Sequence, residues 1–104
     1  MRPLLPSLRE KKRYMRIEVI SENPVKNIEA FETIRARFLT LVGSLAAVKA
    51  NLRMIPEKSD EDIIIRVHRK FVDALRAALC LIDEIKGQKV IFRTTRVSGS
   101  ISKV

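Results

Sequence analysis

A chain of 104 residues is long enough for one domain, and its apolar share of 46 % excludes a disordered basic tail. No apolar run approaches the roughly 20 residues that cross a bilayer, so no membrane association is predicted. A single cysteine and a single histidine exclude an intrachain disulfide and a zinc site within one chain, which favours a cytoplasmic protein.

The net charge of +9 comes from the two ends of the chain. Residues 1–16 contain six Lys or Arg and one acid, residues 86–104 contain five and no acid, and the segment between them is nearly neutral. Such clusters favour a polyanion partner, because phosphates neutralised by Lys or Arg release counterions. Basic ends could also serve only to keep a small protein soluble.

The first half of the chain predicts a strand, a helix and a second strand. Apolar and polar residues alternate over 14–20, which is typical of a half-buried strand. Asn23-Pro24 predicts a helix start and Gly43 its end, with apolar residues at three- and four-residue steps between them. Alternation resumes over 46–54 and predicts the second strand.

The second half predicts a strand, a helix and a strand. A polar turn at 56–60 precedes a third strand over 63–68, which is rich in β-branched residues. Residues 71–82 follow helical spacing, and the helix is expected to close at Gly87. Residues 89–97 predict the fourth strand.

The order β-α-β-β-α-β predicts an α+β, two-layer sandwich of ferredoxin-like type, with a four-stranded antiparallel sheet and two helices on one face. Residues 1–13 form a basic N-terminal extension, and residues 14–104 form the single domain. The first and fourth strands are antiparallel neighbours in this order, so the two basic ends of the chain should meet on one surface.

The sheet face that points away from the helices is predicted to be basic. Every second residue of each predicted strand is apolar and should face the helices. These residues are Met15, Ile17, Val19, Val48, Leu52, Met54, Ile63, Ile65, Val67, Val90 and Phe92. The other parity exposes Arg16, Lys49, Arg53, Arg66 and Arg93, with Glu18 as the one acid and Asn51 and His68 on the same side. This excess of cations favours a phosphate or acidic-protein surface over an ordinary solvated face.

Aromatic residues for base stacking are scarce on that face. RNA-recognition motifs stack bases on aromatics of their central strands, whereas only Tyr14 is available here, at an edge. Phe92 falls on the core side. Sequence-specific reading of single-stranded RNA by stacking is therefore disfavoured, and recognition of the backbone or shape of a folded RNA fits better.

No group of residues is arranged for catalysis or metal binding. His68 has no nucleophile or orienting carboxylate placed for it, and Cys80 between two leucines is expected to be a packed helix residue. Asp60-Glu61-Asp62 could hold magnesium, but in a turn it is more simply solvated charge. We therefore predict no catalytic residue, no metal ligand and no cofactor bound by the protein.

Three segments together resemble a known family. Pro6-Ser7-Leu8-Arg9-Glu10-Lys11-Lys12-Arg13-Tyr14 resembles the opening of archaeal ribonuclease P protein component 2, the Pop-five family. Residues 93–103 resemble its closing motif, and residues 66–72 with 75–79 resemble its third strand and second helix. The likeness spans nearly the whole chain. The family commonly continues with a short lysine-rich tail, whereas this sequence stops at Val104.

The resemblance implies a non-catalytic subunit of an endoribonuclease whose RNA, with bound magnesium, removes the 5′ leader from precursor transfer RNA. It also implies pairing with protein component 3 of ribonuclease P, and self-association within a two-plus-two assembly. The catalytic RNA would be the main partner.

The residues expected to bind RNA are the cations of the two ends, the open face and the third strand's end. They are Arg9, Lys11, Lys12, Arg13, Arg16, Arg66, Arg69, Lys70, Arg93, Arg96 and Lys103. Alternatively, these ends could dock the protein partner.

Two other functions stay open. One is a ribosomal or other structural RNA-binding protein of the same fold. The other is an acylphosphatase-like enzyme, which uses a glycine-containing phosphate loop with an arginine after the first strand. Residues 21–25 contain neither glycine nor arginine, which argues against this enzyme.

Overall fold

The computed structural model describes residues 11–55, 62–100 and 104, and in these residues it contains five strands and three α-helices. The strands are β1 (Lys12–Ser21), β2 (Arg53–Ile55), β3 (Asp62–His68), β4 (Glu84–Ile85) and β5 (Gln88–Ser98). The helices are α1 (Asn27–Val42), α2 (Ser44–Ala50) and α3 (Val72–Leu81), the last preceded by a 3₁₀ turn over Arg69–Phe71.

All strand pairs are antiparallel, and the sheet order is β2-β3-β1-β5-β4, so β1 is the central strand. The α+β class, the antiparallel sheet and the pairing of the first predicted strand with the last are confirmed. The predicted numbers of four strands and two helices are wrong. The ferredoxin-like assignment stays a prediction.

The core lies between the helices and one face of the sheet. Fully buried residues of α1, α2 and α3 contact strand residues of a single parity, among them Met15, Ile17, Ile63 and Ile65. This parity is the one that the sequence predicts, and Val19, Leu52, Met54 and Phe92 pack against the core at its margin. All three helices therefore cover the same face, and the other face is left open.

The predicted second strand is mostly a helix. Residues 44–50 form α2, because three alanines among seven residues favour a helix, and only Arg53–Ile55 pair as a strand. As a result Val48 is 75 % exposed instead of facing the core, and Ala50 is buried in its place. Lys49 lies on α2 and is not part of the sheet.

Tight turns at both ends of α2 explain this difference. Gly43 ends α1 as predicted, and its φ of 87° lets the chain turn at once into α2. Asn51 then takes a left-handed conformation with φ 50° and ends α2 after two turns. Asn51 is therefore a helix cap, not a residue of the open sheet face. Alternation over 46–54 thus spans a short helix, a turn and the start of β2.

The fifth strand arises where the second predicted helix was expected to continue. The helix α3 ends at Leu81, and Glu84–Ile85 pair with Gln88 and Lys89 in a hairpin. Its two turn residues, Lys86 and Gly87, both have positive φ, which is the geometry of a type I′ turn. Gly87 therefore serves a hairpin and not a helix end. The helix α1 likewise begins at Asn27, four residues after the predicted Asn23 start.

Candidate nucleic-acid interface

The open face of the sheet is built from cross-strand rows, because residues paired in an antiparallel sheet point to the same side. Across β2, β3, β1 and β5, from one end to the other, the rows are Lys12 with His68; Arg53, Arg66, Tyr14 and Ser98; Ile55, Ile64, Arg16 and Arg96; Asp62, Glu18 and Arg93; and Ile20 with Ile91. The sequence correctly predicts Arg16, Arg53, Arg66 and Arg93 on this face.

Charge is distributed unevenly along the rows. We call the first three rows the basic end, which contains five cations and no acid: Lys12, Arg16, Arg53, Arg66 and Arg96. The next two rows form the distal end, which contains two acids, Asp62 and Glu18, and an exposed isoleucine pair, Ile20 and Ile91. Beyond it, Lys89 pairs with the acid Glu84 of the edge strand β4. A polyanion would therefore be attracted to the basic end.

Two ion pairs bridge the rows. Arg16 Nη1 lies 3.1 Å from Asp62 Oδ2, and Arg93 binds Glu18. The prediction that Glu18 is the one acid of the open face is wrong. Asp62 also lies there, because β3 begins at Asp62, where the sequence predicts a turn. Because both ion pairs are partly exposed, each adds little to stability. The carboxylate of Glu18 nevertheless neutralises part of the positive charge with which Arg93 would attract a phosphate.

A β-bulge in β5 brings Arg96 onto the open face. Strict alternation would place Arg93 and Arg96 on opposite faces. The register shifts between Arg16 and Ile17, which pair with Arg96 and Thr94, so Thr95 is an extra residue. The Thr95 hydroxyl donates a hydrogen bond to the carbonyl oxygen of Arg16 at 3.2 Å. The bulge thus places two arginines in one cross-strand pair.

A second group of cations lies where β1 begins and β3 ends. The Arg69 N–H donates to the carbonyl oxygen of Lys11 at 2.6 Å, which ties the two segments together. The Lys70 N–H donates to Nδ1 of His68 at 3.2 Å, so His68 caps the 3₁₀ turn. Desolvation, followed by the charges of Lys70, Lys11 and Arg69, lowers the pKa of His68 below its usual value. The neutral ring therefore accepts at Nδ1 and presents its proton at Nε2.

Most of the predicted RNA-binding residues come together in these two groups: Lys11, Lys12, Arg16, Arg66, Arg69, Lys70 and Arg96. Arg13 pairs with Val67 on the other parity, and its Nη1 donates to the carbonyl oxygen of Lys12 at 2.9 Å, so it lies at the rim. Arg93 belongs to the distal end. Arg9 and Lys103 lie outside the described residues.

The sequence pattern misses two features of the face. Ile64 is only 5 % exposed although it lies on the open side, and Arg16 Nη2 donates to the carbonyl oxygen of Val104 at 3.3 Å. Residue 104 therefore lies against the face. Asp62 continues the parity of Ile64 and Arg66, which is the signal that could have placed it on the strand.

A second exposed region lies at the junction of α1 and α2 and is apolar. Its large side chains are Leu39, Leu41, Leu45 and Val48, which are 45 %, 44 %, 71 % and 75 % exposed. We call these four residues the apolar corner. A groove of about 360 Å³ adjoins them, lined by Arg35, Phe38, Leu39, Ser44, Ala47, Val48, Asn51 and Leu52. Leu39 and Val48 line the groove itself, and exposed apolar side chains at a groove are typical of protein–protein contact sites.

In the residues that the structure describes, no group of three His, Cys, Asp or Glu side chains could hold a metal ion. Across the same residues, no helix is both long and apolar enough to cross a membrane. Cys80 is exposed on α3, so the prediction that it is packed is wrong. The leucine after it, Leu81, is 52 % exposed and does not bury it.

Comparison with known proteins gives consistent matches. The model of the Rpp14/Pop5 family matches residues 13–104. Ribonuclease P protein component 2 of Thermococcus gammatolerans is 44 % identical over 103 residues, covering 97 % of this chain and 85 % of that protein. The protein of the same name from Methanococcus vannielii is 36 % identical over 104 residues, covering 100 % and 79 %.

Among solved structures, a chain in the cryo-EM structure of yeast ribonuclease MRP is similar, with a TM-score of 0.67 and 13 % identity. The match covers 88 % of this chain and 76 % of that chain. At this identity the similarity concerns the fold.

Proposed function

Because the chain belongs to the Rpp14/Pop5 family of ribonuclease P components, we propose that it is the RNA-binding subunit of a ribonuclease P ribonucleoprotein. This enzyme would remove the 5′ leader from precursor transfer RNA, in the cytoplasm. The observation that carries the proposal is the basic end of the open face, in a chain whose relatives are named as ribonuclease P components.

The basic end has the chemistry for phosphate contacts. Among the described residues, Arg53 and Arg66 have no acidic side chain within ion-pair distance, so their charges are not neutralised by the protein. Arginine suits this role, since its planar guanidinium binds phosphate oxygens in a bidentate manner. Each phosphate contact should add about 0.7–0.9 to the salt slope of binding.

The protein would support the RNA and leave the chemistry to it. Magnesium would be bound by the catalytic RNA, and it would there supply activation of the attacking water and stabilisation of the leaving oxygen. Cations of the basic end would reduce repulsion between RNA segments that approach one another. The subunit would therefore lower the magnesium concentration that cleavage needs.

The apolar corner is proposed as the surface that contacts another protein. Protein component 3 of ribonuclease P is the expected partner, and a second copy of this chain is the other, within a two-plus-two assembly. Leu45 and Val48 would be buried on assembly, which favours association at roughly 25 cal/mol per Å² of apolar surface covered. This division leaves the basic end available to RNA.

Reconstitution tests the proposal. The chain is added to the catalytic RNA, with and without protein component 3, and precursor cleavage is measured across a magnesium series. We expect cleavage at lower magnesium when the chain is present, and none from the chain without the RNA. An unchanged magnesium requirement would refute the ribonuclease P role, and binding to ribosomal RNA instead would favour a structural RNA-binding protein.

A further inference from the structure

Tyr14 is the one aromatic residue of the chain that does not belong to the core. All four phenylalanines are buried in the core or pack against it: Phe31, Phe38, Phe71 and Phe92. Tyr14 instead lies on the open face, half-buried. The sequence places it at an edge, whereas the register places it on the central strand with paired neighbours on both sides, Arg66 and Ser98.

In the part of the chain that the structure describes, the ring of Tyr14 forms no pair with another aromatic ring. The two ring contacts found there join Phe71 to Phe38 and to His68. Its hydroxyl has no hydrogen-bond partner among the same residues. A half-buried tyrosine on a sheet face, without a ring or hydroxyl partner among the described residues, has the exposed part of its ring available to a ligand, and a flat apolar ring selects a flat ligand.

Cations surround the ring on three sides. Arg66 is its direct cross-strand neighbour, with Cβ atoms roughly 4.5–5.5 Å apart in such pairs, and Arg53 follows on the next strand. Lys12 and Arg16 lie two residues away along β1, about 7 Å in either direction. A ligand stacked on Tyr14 would therefore have positive charge beside it in every direction except that of Ser98.

We propose that Tyr14 is a stacking platform for one unpaired RNA base, whose flanking phosphates bind Arg53 and Arg66. The inference rests on the proposed RNA-binding function and adds a contact that phosphate binding alone does not require. A nucleotide combines a flat ring with negative charge on both sides, which matches this arrangement. Because every base has a π face, a single platform anchors a bulged or single-stranded nucleotide without reading its identity.

Two RNA probes separate stacking from charge. One is a fluorescein-labelled strand of about 12 nucleotides made only of A and C, which cannot pair with itself, and the other is its duplex with the complement. With the full chain, Tyr14→Leu should weaken binding of the single strand about 10-fold and leave its salt slope unchanged. Tyr14→Phe should bind nearly as the wild type, and the duplex should respond to neither variant.

Intrinsic fluorescence gives a second reading, because the chain contains one tyrosine and no tryptophan. All of the chain's tyrosine emission, at about 300 nm, therefore comes from Tyr14. Base stacking should quench it on addition of unlabelled single strand, after correction for absorption by the RNA, and the duplex should quench it less. Equal quenching by both probes would contradict the platform.

The outcomes separate this inference from the function on which it rests. If Arg53→Gln with Arg66→Gln weakens binding of the single strand while Tyr14→Leu does not, the platform is wrong and the RNA-binding function stands. If the wild type binds neither probe nor the catalytic RNA, the proposed function itself fails. Loss of the complex with protein component 3 in Tyr14→Leu, with RNA binding intact, would assign the ring to a protein contact and overturn the inference. Unchanged far-UV circular dichroism checks that each variant folds.

Discussion

The basic end of the open face and the apolar corner are both exposed, yet they are built in opposite ways. The basic end consists of long cationic side chains on a rigid sheet, whereas the apolar corner consists of leucines and a valine around a tight turn between two helices. Positive charges on a rigid surface favour binding of a polyanion, whereas exposed apolar groups favour a protein contact from which water is excluded. The difference favours two partners of different chemistry, as proposed above.

The two regions share one core, and its disruption should have the largest effect. Ile65 is fully buried on β3 between them, and Ile65→Ala should lower the free energy of unfolding by about 2–5 kcal/mol. Chemical denaturation measures this change. The control is Ile91→Ala at the distal end, since Ile91 is 62 % exposed. We expect the control to change stability by no more than about 0.5 kcal/mol. Equal effects at the two sites would mean that the core is wrongly located.

Neutralising the basic end should remove RNA binding without removing protein binding. Lys12→Gln, Arg53→Gln and Arg66→Gln together should lower RNA affinity about 100-fold at low salt, and reduce the salt slope by about 2–3. Titration of labelled catalytic RNA measures both quantities. A matched variant loses three exposed cations of the helical layer, Lys26, Arg37 and Arg76, and should bind nearly as the wild type. If the two variants lose affinity equally, net charge and not the open face determines binding.

Charging the apolar corner should have the converse effect. Leu45→Lys with Val48→Lys would place two ammonium groups on a surface that loses its water when the partner binds. The cost of desolvating these charges should weaken the complex with protein component 3 at least 10-fold. Calorimetry of the complex and light scattering of the chain alone separate the two expected protein contacts. RNA affinity should not fall. Leu81→Lys, on an exposed leucine of α3, is the control, and an equal loss there would remove the corner's special role.

The smallest expected effect is a pH dependence of stability that arises from His68 at the basic end. The pKa of His68 is lowered in the folded chain, chiefly by desolvation, so the unfolded chain binds the proton at higher pH. Stability should therefore be constant above the unfolded value near 6.5 and fall as pH drops below it, since acid favours the protonated unfolded state. We expect a decrease in Tm of at most a few degrees, absent in His68→Asn, whose amide oxygen keeps the cap on Lys70. A larger fall in the variant would contradict this cause.

The sheet could be predicted from sequence where alternation and β-branched residues agree, as in β1 and β3. It could not be predicted at α2, because Ala46, Ala47 and Ala50 fit either period and the turns at Gly43 and Asn51 decide the outcome. The hairpin at Gly87 was missed for a related reason, since a glycine after a helical pattern looks the same whether it ends a helix or turns a strand.

The site was predictable in composition but not in arrangement. Parity placed Arg16, Arg53 and Arg66 correctly, because the buried face of each strand fixes its exposed face. Arg96 reaches the same face through a bulge that no alternation pattern reveals. The ion pair of Arg16 with Asp62 depends on where β3 begins, which the polar segment before it conceals.

Directed cleavage of RNA from two positions of the chain distinguishes RNA binding at the open face from RNA binding at the helical layer. The native Cys80 lies exposed on α3, in the helical layer, and Ser98 lies beside Tyr14 on the open face. An iron chelate is attached either to Cys80 or to Ser98→Cys in a Cys80→Ser background, and hydroxyl radicals are generated in the reconstituted ribonucleoprotein. We expect strong, localised cuts in the catalytic RNA from position 98 and weak or no cuts from position 80. Strong cuts from position 80 alone would place the RNA on the helical layer and contradict this expectation.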